Sequence, residues 1–396
     1  MLSELKSIGA AGIKGKALSA IWTFPSIILS ALVIGWAAEA AQFLLSQGLA
    51  LAILAWLQTL PEFAVEAVIA WEAGIDPEKV HLITANFTGS LRLLVGLAWP
   101  MIYFTTAFFR KRKSTGKRFV NIELEGEHAV EVMALLPPIS YFVIIVLKGT
   151  LTLFDSAILF LMYVAYLYFL RKIPAQDQEK IEDAEKVPQV ILKMKPIPRN
   201  LSIVALFLIG GFWLYFVARP FLYSMLALAT FLGVSNFVFV QWVAPFLSEF
   251  PEKVTAFNWA RTVRKSPMAL MNMVSSNINQ WTVLVAMIPI VYSFSRGEVS
   301  VIHFDAHQKM EIFLTIAQSA LGFILLANME FRWYEASGLF VLWFTQFIFP
   351  HWREEITFIY IAWIVFELGG ASFGRKRLKV FTEFKFLAKK HVFKSI

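Results

Sequence analysis

The apolar residues of this 396-residue chain gather into long runs parted by short polar breaks. They do not form the half-apolar stripes of helices and strands that face water. The runs cover residues 18–45, 49–71, 80–109, 129–147 and 151–170, and then, after a polar stretch, 201–218, 221–260, 267–294, 312–329, 335–349 and 356–369. Most approach or exceed the roughly 20 residues that take a helix across ~30 Å of hydrocarbon. The pattern therefore predicts an all-α polytopic membrane protein with about 10–11 transmembrane helices. The run 221–260 is too long for one straight crossing, and Pro245, Pro251 and its interior Gly and Ser residues predict a bent or interrupted helix. The polar stretch 171–200, with DQEKIEDAEK followed by three prolines, reads as a mostly irregular linker.

Composition sharpens this picture. Hydrophobic residues make up 58% of the chain and charged ones 16%, which excludes an ordinary soluble enzyme. There is no cysteine, so thiolate metal sites, disulfides and Cys nucleophiles are excluded as well. The formal charge of +8 has to be sorted by membrane face before it can suggest any partner. With the N-terminus outside and the C-terminus cytoplasmic, most Lys and Arg residues fall on the inner connections, the linker and the tail after Arg375. That pattern implies anchoring to anionic lipid headgroups and no nucleic-acid partner. Lys6, Lys14 and Lys16 pull the other way. Followed by the apolar run from Ile21, they also fit a signal peptide, although that run continues into the second span.

Shifting the chain by 190 residues brings LQTLPEFAVEAVIAW (Leu57–Trp71) onto LSEFPEKVTAFNWAR (Leu247–Arg261). Pro61 meets Pro251, Glu62 meets Glu252, and Pro77 meets Pro267. The first half holds five spans, an odd number, so the second copy enters the membrane inverted, as in secondary transporters with a midplane site. The expected organisation is a first transmembrane half over 1–170, a cytoplasmic linker over 171–199, an inverted second half over 200–350, and an extra helix with a basic tail over 351–396.

A Pro-Glu pair inside a span carries its own chemistry. Pro61 frees the carbonyl of Leu57 and Pro251 that of Leu247. An intramembrane carboxylate costs several kcal/mol unless it is paired or ion-bound, so Glu62 and Glu252 are expected to share a polar centre. The next span of each half supplies facing oxygens. Asn86 and Ser90 lie four apart on one helix face, as do Ser276 and Gln280, and the same shift pairs Asn86 with Ser276 and Ser90 with Gln280. Two carboxylates with carbonyl, hydroxyl and amide oxygens suit a hard cation such as Ca²⁺ or Na⁺. The competing structural account is a pair of protonated glutamates packing kinked helices.

These residues resemble the cation/Ca²⁺ exchanger superfamily, the sodium/calcium and proton/calcium antiporters. That family is built on two inverted repeats with GTSLPE motifs followed by GNxxGSNxxN or GSNxxD. LQTLPE and LSEFPE occupy the first motif here, LGVSNFVFVQWVAPF is similar to the family's lead-in to its second copy, and LTLFDSAILFLMYVAYLYFLRK to its fifth helix. The resemblance implies ion-binding roles for Glu62 and Glu252. It places the preceding Thr-Ser pair on Gln58-Thr59 and on Ser248-Glu249, and the later Ser and Asn on Asn86 and Ser90. A gapless match of GS to Gly89-Ser90 puts Leu94 at the Asn position instead. In the eighth helix the Ser is Ser276, and the frequent Asp is replaced by Gln280. Glu249 and Glu66, the latter one turn beyond Glu62, are the candidates to restore that charge. The implied activity is antiport of Ca²⁺ against Na⁺ or H⁺ with no cofactor, the alternative being a Na⁺/H⁺ or other metal/H⁺ exchanger.

Other features have weaker claims. Arg92 and Lys253 are cations within spans, with Glu66, Glu249 or a membrane interface as expected partners. His303, Asp305 and His307 form an outer metal candidate. Glu123, Glu125, Glu127 and Glu131 form an acidic cluster set against Arg110–Arg118, and Glu39 is a secondary pathway candidate. A membrane-embedded enzyme would need a clustered acidic or His motif at a membrane face, which the sequence lacks. A non-transporting sensor is the remaining alternative.

Overall fold

A backbone in hydrocarbon has to satisfy its own N–H and C=O groups, and the apolar runs accordingly fold as helices. The structure, a computed structural model, describes residues 10–44, 47–113, 119–173, 181–373 and 378–393. In the first half, α1 (Ala10–Leu18) leads into α2 (Ala20–Gln42). Next, α3 (Gln47–Gln58) and α4 (Leu60–Ile75) form one crossing bent by 48°. Then α5 (Val80–Leu93) passes through a wide π turn at Leu94–Ala98 into α6 (Trp99–Lys113). Two further crossings follow, α7 (Ala129–Ala134) with α8 (Leu136–Lys148), and α9 (Leu153–Lys172). A short α10 (Lys186–Leu192) stands between the halves. The second half repeats the order as α11 (Pro196–Leu232), the broken pair α12 (Asn236–Ser248) and α13 (Phe250–Arg261), α14 (Ser266–Asn279) with a π turn at Gln280–Leu284 and α15 (Val285–Arg296), α16 (Ala306–Leu326), and α17 (Trp333–Ile348). An extra α18 (Arg353–Ser372) and a terminal α19 (Lys379–Leu387) lie outside both halves.

Among the described residues, eight helices are long and apolar enough to cross a membrane alone, and the α3–α4 pair makes a ninth. The two remaining expected crossings are the interrupted α12–α13 and the 16-residue α17. This is the all-α, two-repeat architecture with an extra C-terminal helix that the apolar pattern predicts.

Two local expectations need correction. The sixth and seventh runs were expected to part between Ala218 and Phe221, yet α11 continues through Pro220 for 37 residues. The break falls at Gly233, whose φ of 68° supplies the left-handed cap that ends a helix. Proline removes one hydrogen bond, and the packing of α11 along α2 outweighs that loss. Small residues permit the close approach: a Cβ on Gly210 would lie 2.7 Å from Ile34. The linker is also more ordered than its composition suggests. It contains α10, and Pro196 starts α11 in the first turn, where a missing N–H costs nothing.

Short strands tie the connections together. β1 (Ile122–Glu123) pairs antiparallel with β4 (Glu330–Phe331), and β2 (Thr150–Leu151) with β3 (Ile302–His303). With eleven crossings, the connections after the third and ninth share one face, and those after the fourth and eighth share the other. Both pairings obey that count. The tail returns to the β1–β4 face, where the Val380 N–H donates to the Ala327 carbonyl at 3.0 Å.

Candidate ion-binding site

Each half breaks one helix at its Pro-Glu pair. Pro61 and Pro251 occupy the first turns of α4 and α13, so the chain restarts a helix immediately beyond Thr59 and Glu249. Glu62 and Glu252 thus project from helix starts deep in the protein, and all eleven predicted site residues are buried.

The hydrogen bonds show which of them meet. Asn86 donates its amide to Glu62 at 2.6 Å and to Glu66 at 2.6 Å. Ser248, from the other half, donates to the second oxygen of Glu62, and Ser276 donates to Glu252. The Asn86–Glu62 and Ser276–Glu252 bonds are counterparts under the 190-residue shift. Ser90 and Gln280, which the same shift pairs, both donate to Oε1 of Glu249, the latter at 2.8 Å. The two π turns do not follow that register, since the second begins one helical turn early, at Gln280.

Two predicted residues stand to one side. Gln58 donates to Thr255 at 3.3 Å and accepts from Asn272 at 3.2 Å, so it bridges the halves without a bond to either central glutamate. The Thr59 hydroxyl donates to the Ala55 and Trp56 carbonyls of its own helix. Thr255 and Asn272 were missed by the sequence reasoning. Asn272 precedes Ser276 by four residues, one turn on the same face, and that spacing was the available signal.

Several oxygens in this region have no donor. Among the described residues, buried acceptors without a hydrogen-bond partner include Glu66 Oε1, Asn86 Oδ1, Glu252 Oε2, Asn272 Oδ1, Asn277 Oδ1, Asn279 Oδ1 and Gln280 Oε1. Buried polar atoms are normally satisfied, so a concentration of orphaned oxygens suits a partner that accepts electron pairs, as a cation does. No three His, Cys, Asp or Glu side chains among the described residues converge closely enough to hold a metal ion by themselves, so a cation here draws on amide, hydroxyl and carbonyl oxygens as well. Nor do they converge in the His303–Asp305–His307 segment, where Asp305 instead caps α16 by accepting from the Gln308 N–H at 2.7 Å.

The intramembrane cations have partners. Lys253 Nζ lies 2.5 Å from Glu249 Oε2. Arg92 pairs with Glu311 on α16 at 2.7 Å, and with neither of the carboxylates expected for it. Glu311 also accepts from Arg353 at the start of α18 and from Gln241 on α12 at 2.9 Å. Arg92 further donates to Gln346 at 3.0 Å and to the Thr88 carbonyl at 3.1 Å. Five helices therefore meet at one buried ionic cluster beside the site. Glu39, the pathway candidate, accepts from the Glu185 N–H at 2.9 Å and ties α2 to the segment before α10. Of the acidic cluster, Glu131 is buried and Glu123 is exposed in β1.

A family model described as sodium/calcium exchanger protein matches residues 15–172 and 202–351, the two halves flanking the linker. The chain belongs to this exchanger family. The crystal structure of the H⁺/Ca²⁺ exchanger CAX is similar to the exchanger at 33% identity, with a TM-score of 0.85, over 94% of this chain and 91% of that one. Native YfkE shares the fold at 16% identity and a TM-score of 0.58, over 86% of this chain and 97% of that one. The sodium-calcium exchanger NCX_Mj shares it at 17% identity and a TM-score of 0.54, over 85% and 98%. Among curated proteins none matches.

Proposed function

We propose that this exchanger moves Ca²⁺ against Na⁺ or H⁺ by alternating access, with Glu62 and Glu252 as the carboxylates that hold either ion species in turn. The observation that carries the reading is the pair of buried glutamates at equivalent helix breaks, set among orphaned amide and carboxylate oxygens. A doubly charged carboxylate pair cannot reorient through hydrocarbon unneutralised, because even one buried charge there costs several kcal/mol. Either one divalent or several monovalent cations lift that barrier, and exchange follows from the requirement.

Asn86, Ser248 and Ser276 orient the two carboxylates. Ser90, Gln280, Glu249 and Glu66 form the surrounding shell, and Gln58 and Thr59 hold the break in the first half. The 33% identity with an H⁺/Ca²⁺ exchanger over most of both chains supports H⁺ as the driving ion. No observation favours the Na⁺/H⁺ alternative. The two transmembrane halves span 1–170 and 200–350, with the N-terminus outside and the linker and basic tail cytoplasmic. No step needs a cofactor or covalent chemistry.

The test is radiolabelled Ca²⁺ flux into proteoliposomes driven by an H⁺ or a Na⁺ gradient. Glu62→Gln and Glu252→Gln should each abolish uptake while leaving the purified protein folded. Absence of gradient-driven Ca²⁺ movement in the wild type would sink the calcium reading, and full activity in both variants would sink the site.

A further inference from the structure

Near the two central glutamates lies a third carboxylate with its own cation. Glu249 sits at the break between α12 and α13 and is fully buried. Both of its oxygens are engaged: Oε1 accepts from Ser90 and from Gln280 at 2.8 Å, and Oε2 accepts from Lys253 Nζ at 2.5 Å. Lys253 directly follows Glu252, and its side chain is 7% exposed. Its only hydrogen-bond acceptor among the described residues is Glu249. Ser248, next to Glu249, donates to Glu62, so this ion pair lies against both central glutamates. The buried ionic cluster of Arg92, Glu311 and Arg353 is separate, its hydrogen bonds running to Gln241, Gln346 and Thr88.

We infer that Lys253 is a tethered cation that permanently occupies the place of a third transported charge, so that one Ca²⁺ exchanges for two monovalent cations with no net charge moved. This rests on the transport reading above and deepens it. With Glu66 counted as neutral, Glu249 without Lys253 would be a third uncompensated carboxylate beside the pair, and neutral reorientation would need a charge of +3. A resident ammonium lowers the requirement to +2, which one Ca²⁺ or two monovalent ions meet equally. It also explains why Glu249 does not replace the acidic residue missing at Gln280. Gln280 donates to Glu249, and the charge of Glu249 is already matched.

The experiment measures the equilibrium Ca²⁺ ratio in proteoliposomes at a fixed monovalent gradient, with the membrane potential clamped at 0 and at about 100 mV. One net charge per cycle shifts that ratio about 50-fold per 100 mV, whereas an electroneutral cycle shifts it less than twofold. The wild type is expected to show less than twofold. Lys253→Met is expected to lose at least tenfold in Ca²⁺ transport rate, and Lys253→Met/Glu249→Gln, which restores the charge count, to recover most of it with a voltage-insensitive ratio. Thermal stability of each purified variant shows that it is folded.

A wild-type ratio that moves about 50-fold overturns the inference. So does Lys253→Met transporting at the wild-type rate, or a folded double variant as impaired as the single one. A third charge that disappears in Glu66→Gln overturns it too, by assigning the extra ion to Glu66. If no monovalent gradient moves Ca²⁺ in the wild type, the transport reading itself fails. Gradient-driven but voltage-sensitive transport defeats only this inference.

Discussion

Gly89→Ala is the sharpest mechanical test of the site. Gly89 lies on α5 between Asn86 and Ser90, where α12 passes so close that a Cβ would stand 1.8 Å from the Gln241 carbonyl oxygen and 2.7 Å from its carbon. An ordinary carbon–oxygen contact is about 3.3 Å, so the helices have to separate by roughly 1.5 Å. The obstacle is backbone, which no rotamer change removes. Over-packing of this kind costs about 1–3 kcal/mol, against which Ala returns about 1 kcal/mol of helix propensity.

The steric part of the loss is therefore about 0–2 kcal/mol, and the larger effect falls on geometry. Gln241 donates to Glu311 at 2.9 Å and to Thr88 at 3.2 Å, and accepts from Arg353 at 2.9 Å. A displacement of roughly 1.5 Å takes such contacts past hydrogen-bonding range. The same movement draws Ser248, further along α12, away from Glu62. Initial rates of Ca²⁺ uptake should fall at least tenfold, and the unfolding temperature in detergent should drop as well, since each lost bond to a charged group costs about 1.5–3 kcal/mol. Gly211→Ala on α11 is the control, since a Cβ there meets nothing within 4 Å. If Gly89→Ala transports as well as Gly211→Ala, the close α5–α12 contact does not position the site and the reasoning is wrong.

Two more outcomes can be checked directly. Glu311→Gln strands Arg92 and Arg353 without their anion and should cost about 3–5 kcal/mol, seen as a clear drop in unfolding temperature. Replacing all three by apolar residues of similar size should recover most of that loss, and an unshifted single variant would show that the cluster is not the joint described. Because the chain has no cysteine, Lys193→Cys and Glu298→Cys report orientation cleanly. An impermeant thiol reagent should reach Glu298→Cys from outside intact cells and Lys193→Cys only after permeabilisation; the reverse result overturns the assigned orientation.

Much of this was legible in the chain. Glu62 and Glu252 stood out because a carboxylate next to proline in an apolar run is costly, and the same costly dipeptide occurs twice. Glu249, four residues before Lys253, was among the partners expected for the intramembrane cations, and it is the one Lys253 takes. The partner of Arg92 was not: Glu311 is 219 residues away, and its position early in α16 looks like that of any interfacial acid. The end of α11 was misplaced because proline is a strong local breaker, and only the contact with α2 shows why the helix continues through it.

By itself, then, the sequence determined the helical class, the crossings, the inverted repeat and the two glutamates at its breaks. Hydrocarbon imposes those requirements span by span, through apolar length and the cost of each buried charge. The tertiary structure decided which carboxylates are satisfied within the protein and which retain open oxygens. That distinction depends on donors brought from distant helices: Ser248 to Glu62, Ser90 to Glu249, and Arg353 to Glu311. Pairings of this kind are set by how the helices pack, which no single span encodes.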